Sequence, residues 1–303
     1  MKSTNRSYPV LCFVFAIVTL AAIVGCGGDA STTDDQSAQE RLLSWLPAST
    51  TDFIYVDIET VLSRPAFQSQ VDTQFDRLIS VTGKVINEEL LRSAEIKNGV
   101  FGFIPENTRD YEASILEGDF QQLLGALEQA GADGLTETYR GVVIYGFEDS
   151  RPFYLAVVDR SKLLLGQSAE RVKEIIDRMQ DGGGIPQALR DALGDLGQVD
   201  YLFFVPVESD TSDFSNNPFA NVTSTSWAVL ANDPATSTVR TRFVFVESEQ
   251  AAAIAEMIKE QGGIWSLVSG ANGLNGQASQ DEHTVMMEAT VPDQDVESMM
   301  FGD

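Results

Sequence analysis

Histidine is almost missing from this chain, with His283 the only one. A zinc centre built from imidazoles needs two or three of them, so that class of site is excluded. Cysteine is as scarce, being confined to Cys12 and Cys26 near the amino terminus, so a cysteine zinc site and a disulfide framework are excluded as well. Positive charge is also in short supply: 20 lysines and arginines face 45 aspartates and glutamates, a net charge of −25. Such a surface repels nucleic acid and anionic lipid head groups, so neither is an expected partner of the surface as a whole. There is no phosphate-binding P-loop, no G-x-G-x-x-G turn and no calcium loop, so no cofactor and no metal are expected. The acidic clusters Glu208/Asp210/Asp213 and Asp293/Asp295/Glu297 lack the ligand spacing and the turn glycine of a calcium site. A soluble surface suited to its ionic medium accounts for them.

Long hydrophobic runs are absent apart from one. Val10 to Val24 is apolar except for Thr19 and follows the cations Lys2 and Arg6. At fifteen residues it is short for a membrane span, which needs about 20, and it has the length of a secretory core segment. It closes on Ile23-Val24-Gly25-Cys26. This closing tetrapeptide resembles the lipobox of bacterial lipoproteins. The resemblance implies a diacylglyceryl group on the Cys26 thiol, cleavage after Gly25 and a final location on the extracytoplasmic side of a bacterial envelope membrane. Buried acyl chains contribute about 0.8 kcal/mol per methylene, so two or three of them hold a protein on a bilayer durably. Loss of residues 1–25 would remove Lys2, Arg6 and Cys12, leaving 18 basic against 45 acidic residues.

Gly27 to Glu40 has no apolar residue larger than alanine, which predicts a flexible tether over 26–40. Beyond it the pattern predicts an α+β fold. Leu42, Leu43, Trp45 and Leu46 form a short helix stopped by Pro47, and Phe53 to Ile58 reads as a strand. Helices are expected from Pro65 to Gly83, from Asn87 to Glu95, after Asp119, after Ser168 and after Pro186. Hairpins are expected around Arg140-Gly141 and around 159–162. The order then repeats: Asp200 onward answers Asp52 onward, Ser226 to Ala231 answers Gly99 to Ile104, and Thr241 onward answers Ala113 onward. The expected architecture is two degenerate repeats, 41–182 and 183–298, each a mostly antiparallel sheet with helices on one face. Leu46-Pro47, Thr50, Tyr55-Val56-Asp57 and Leu62 also resemble an uncharacterised family of exported bacterial proteins, a resemblance that implies no activity.

One segment imitates a catalytic motif. Leu163 to Val172 runs strand, Gly-x-Ser, helix, and His283 follows later, as in a serine hydrolase using Ser168 and His283. The second glycine of that motif is replaced by Glu170, and Ser168 is accounted for as a helix cap. No catalytic residue is therefore expected, and His283 reads as a strand-end residue. Trp45, Trp227 and Trp265 read as core. The polar loop Glu208 to Thr225, with Phe214 and Phe219 in it, is the best candidate for contact with a ligand or an envelope partner, because long polar loops between strands usually carry a role. The reading is a membrane-anchored binding or envelope module, not an enzyme.

Overall fold

The structure, a computed structural model, describes residues 37–64, 89–90, 93–103, 113–130, 135–147, 152–193, 196–197, 199–206, 221–233, 235–260 and 276–296. Cys26 and its flanks, the helix expected at 65–83, most of the one at 87–95, the bulk of the loop at 208–225, and Trp265 lie outside the described residues.

The class is α+β. Twelve strands form one antiparallel sheet: β1 (Asp52–Asp57), β2 (Asn98–Phe103), β3 (Ala113–Glu117), β4 (Leu135–Tyr139), β5 (Val142–Phe147), β6 (Phe153–Val158), β7 (Lys162–Gly166), β8 (Tyr201–Pro206), β9 (Val222–Asp233), β10 (Thr236–Phe245), β11 (Gly276–Asp281) and β12 (Thr284–Pro292). Their order across the sheet is β11-β12-β10-β9-β8-β1-β2-β3-β7-β6-β5-β4. The helices are α1 (Ala38–Trp45), α2 (Ile58–Leu62), α3 (Gln121–Ala130), α4 (Ala169–Asp181), α5 (Gln187–Leu193) and α6 (Ser248–Glu260). Where the sequence pattern suggests two sheets, β1 and β8 pair directly, Val56 opposite Tyr201 and Phe53 opposite Phe204, and fuse them into one.

Local chemistry explains the elements. The Ser37 hydroxyl accepts the Glu40 N–H to cap α1, and Ser168 does the same for Arg171 N–H at α4. The hairpin β4-β5 turns on Arg140 and Gly141, both at positive φ (48° and 82°), the geometry a two-residue turn needs to match strand twist. Gly182 ends α4 in the left-handed conformation at φ 77°. The next glycine, expected in a flexible break, is a packing contact: a Cβ on Gly183 would sit 2.5 Å from the Ser44 carbonyl oxygen.

The core has two layers because the middle strands are apolar on both sides. Ile54, Val56, Phe101 and Leu116 belong to one buried cluster, while Phe53, Tyr55, Val100 and Ile115 belong to the other. α2, α3 and α6 cover the first face through Ile58, Phe120, Leu123, Leu127, Ile254 and Ile258. α1, α4 and α5 cover the second through Leu42, Leu43, Val172, Ile175, Ile176 and Leu189. The expectation of helices on one face is thus corrected: a strand with no polar alternation, such as β1, leaves half its surface wet unless both faces are covered. β10 differs, alternating buried and partly exposed residues along its whole length, as a strand covered on one face should.

Candidate functional site

Ser168 and His283 are not brought together. Ser168 sits at the start of α4, just after β7, with its hydroxyl engaged in capping. His283 lies exposed in the β11-β12 turn, its carbonyl accepting the Phe245 N–H. Six strands separate β7 from β12, on the order of 30 Å at about 4.8 Å per strand. Proton transfer needs hydrogen-bond reach of about 3 Å, so this geometry corrects the runner-up reading of a Ser168/His283 hydrolase. Among the described residues no group of three His, Cys, Asp or Glu side chains is arranged to hold a metal. No helix among them is long and apolar enough to cross a membrane. Trp45 and Trp227 are partly buried against the two core clusters, as expected of packing residues.

A buried polar cluster ties the end of α2 to the ends of β10 and β12. Arg64, just after α2, reaches into the second half, where its guanidinium donates to Asp293 Oδ2 at 2.7 Å and to the Thr236 carbonyl at 3.1 Å. The Ser237 hydroxyl donates to the other oxygen of Asp293 at 2.7 Å. Both charged side chains are less than a tenth exposed. A buried pair with both carboxylate oxygens bonded is balanced as a unit, and removing one partner strands the other charge.

Asp57 and Asp200 flank the seam itself. The Asp57 side chain caps α2 at Thr60 N–H, while its own N–H donates to the Asp200 carbonyl at 2.6 Å. Asp200 Oδ2 accepts the Ala231 N–H at 2.6 Å. Burial, together with Asp57, pushes the Asp200 carboxyl above its ordinary value, against the opposing pull of that N–H and of Arg64. Tyr55 donates its hydroxyl to Asn98 Oδ1, and burial first, then Asp57, Glu117 and Asp200, hold it protonated. These groups stitch strand to strand, and none is free to act on a substrate. Sequence reading passed over Arg64 because nothing in the local pattern around it pointed to a partner 229 residues away.

The loop expected at 208–225 ends earlier than its pattern implies, because Val222 to Thr225 already pair in β9 with β8 and β10. Serine and threonine alternation there is strand patterning, not loop composition. No protein-family model matches this chain, and comparison with curated proteins and with solved structures returns no match.

Proposed function

We propose that the chain is a lipid-anchored, extracytoplasmic module of a bacterial envelope that binds a partner or maintains the envelope without catalysis. The observation that carries this reading is the succession Lys2/Arg6, the apolar run Val10 to Val24 and Gly25-Cys26, followed by a polar stretch that ends where the cap of α1 begins at Ser37. The partner engaged is an envelope protein or a small ligand, with 208–225 the first segment to probe. The folded part is a duplicated unit: 41–182 and 183–298 descend from one ancestral half.

Strand order supports the duplication. Outward from the β1/β8 seam, one side runs β1, β2, β3, β7, β6, β5, β4 and the other β8, β9, β10, β12, β11, so the five strands of the second correspond in order to the first five of the first. The row of paired residues through Ile54 and Phe203 continues to Phe101 and Trp227, then Ser114 and Thr241, then Leu165 and Met287, then Leu155 and Ala278. Ser114 and Thr241 are equally placed and are both buried hydroxyls without a hydrogen-bond partner. A helix begins seven residues beyond each of them, at Gln121 and at Ser248.

Fractionation of cells expressing the full chain or its Cys26→Ser variant tests the anchor. The parent is expected with the membranes and the variant in the soluble fraction. A variant that stays with the membranes as fully as the parent overturns the reading.

A further inference from the structure

If Cys26 holds the chain on a bilayer, as proposed above, the fold determines which way it faces. Ten residues separate Cys26 from Ser37, a reach of at most about 36 Å. α1, the first described element after that stretch, is fixed in place. Leu42, Leu43 and Leu46 are fully buried, Gln39 donates to the Gly197 carbonyl and accepts the Val199 N–H, and Arg41 forms a two-oxygen pair with Glu117. The tether therefore enters the fold on the α1/α4 side of the sheet.

Charge is divided along the same line. Arg41, Arg171, Lys173 and Arg178 lie on α1 and α4, and Arg240 and Arg242 stand on the same side of the sheet, opposite in sense to Val239 and Phe243. Acids interleave with them, as in the pairs Lys173–Glu137 and Arg240–Glu288, so this face is near balance. The helices on the other face carry Lys259 against Glu59, Glu128, Glu249 and Glu256. In a chain of net charge −25, an acidic face held near anionic headgroups is repelled, while a balanced face with long cationic side chains is tolerated or attracted.

We infer that the α1/α4 face lies against the phospholipid headgroup surface of the membrane that holds the anchor, and that the acidic α3/α6 face is turned outward. The outward face is then the one an envelope partner meets, and a partner suited to it is cationic.

Full-length lipidated protein carrying Gln180→Cys on α4 or Ala253→Cys on α6 tests this. Both sites are exposed, and with Cys26 alkylated the new thiol is the only free one in the mature chain. Each variant is labelled with a fluorophore and reconstituted into phosphatidylethanolamine/phosphatidylglycerol vesicles containing headgroup-nitroxide lipid. Quenching at 180 is expected to exceed that at 253 at least about twofold, since two helix-on-sheet layers, about 20 Å, separate the sites. Adding Arg171→Glu and Lys173→Glu is expected to shrink that ratio. Protein that floats with the vesicles but quenches equally at both sites, or more at 253, overturns the orientation and leaves the anchor intact. Protein that fails to float overturns both. A signal at 180 that follows protein density and not nitroxide content places a second copy of the chain on this face and overturns the lipid assignment.

Discussion

The two sides of the β1/β8 seam, seven strands on one and five on the other, are covered to different degrees. In β1, β2, β3 and β7 the strands are apolar on both sides, and helices pack over each face, α3 on one and α1 with α4 on the other. Among the described residues, α6 is the helix that covers β10, β11 and β12, and it covers one side. The opposite side presents Thr238, Arg240, Arg242, Thr284, Met286, Glu288 and Thr290 as partly or fully exposed residues. One strand pattern thus tolerates two degrees of burial provided side-chain alternation follows: near-continuous apolar runs where both faces are covered, strict alternation where one is.

The sharpest way to break the comparison is at the buried pair that joins the end of α2 to the second half. Arg64→Ala is expected to cost about 3–5 kcal/mol, because Asp293 is left charged and buried. Arg64→Met with Asp293→Leu is expected to recover a large part of that loss. Denaturant unfolding of the three proteins checks both statements.

Next in size is the contrast between the covered and open faces. Ile176→Ala, on the sheet-facing side of α4, is expected to cost about 2–5 kcal/mol, while Thr290→Ala on the exposed side of β12 is expected to stay within about 0.5 kcal/mol. Equal costs by the same unfolding assay would remove the distinction between the halves. Smaller again is Ser168→Ala, expected to lower stability by about 1 kcal/mol through loss of the α4 cap.

The smallest effect depends on pH. The Asp200 carboxyl is raised on folding, so the native state holds its proton more tightly than the unfolded chain and ionised Asp200 weakens the fold. That penalty is absent below the unfolded value of 3.8 and grows as pH rises through the folded value. Asp200→Asn keeps an oxygen for the Ala231 N–H. It is therefore expected to raise the Tm at neutral pH and to match the parent near pH 3.5. Melting curves across that range check the sign.

Much of the fold was legible in the sequence because local rules decide it. The Arg140-Gly141 hairpin, the turn at 159–162 and the Ser168 cap lie where turn and cap chemistry place them. What was not legible is long-range. The proposed repeat is a case in point, because hydrophobic similarity alone leaves its register open. Sequence set Ile54 against Leu202, Phe101 against Ala228 and Ser114 against Arg242, whereas the row of pairs through the sheet sets them against Phe203, Trp227 and Thr241. Runs such as FIYV and LFFV are apolar at every position and carry no register of their own. Pairing of β1 with β8, and the Arg64–Asp293 bond, depend on residues more than a hundred positions apart, for which no local pattern exists. The candidate site was legible only in what it excludes: one histidine and two cysteines leave little catalytic or metal chemistry to assemble.

The account rests on Cys26 becoming the lipid-bearing first residue. Mass spectrometry of the amino-terminal peptide from the membrane-extracted protein measures this directly. The prediction is a chain beginning at Cys26 with the mass of a thioether-linked diacylglycerol, whether or not the amino group is also acylated. A chain that begins at any other residue, or at an unmodified Cys26, contradicts it.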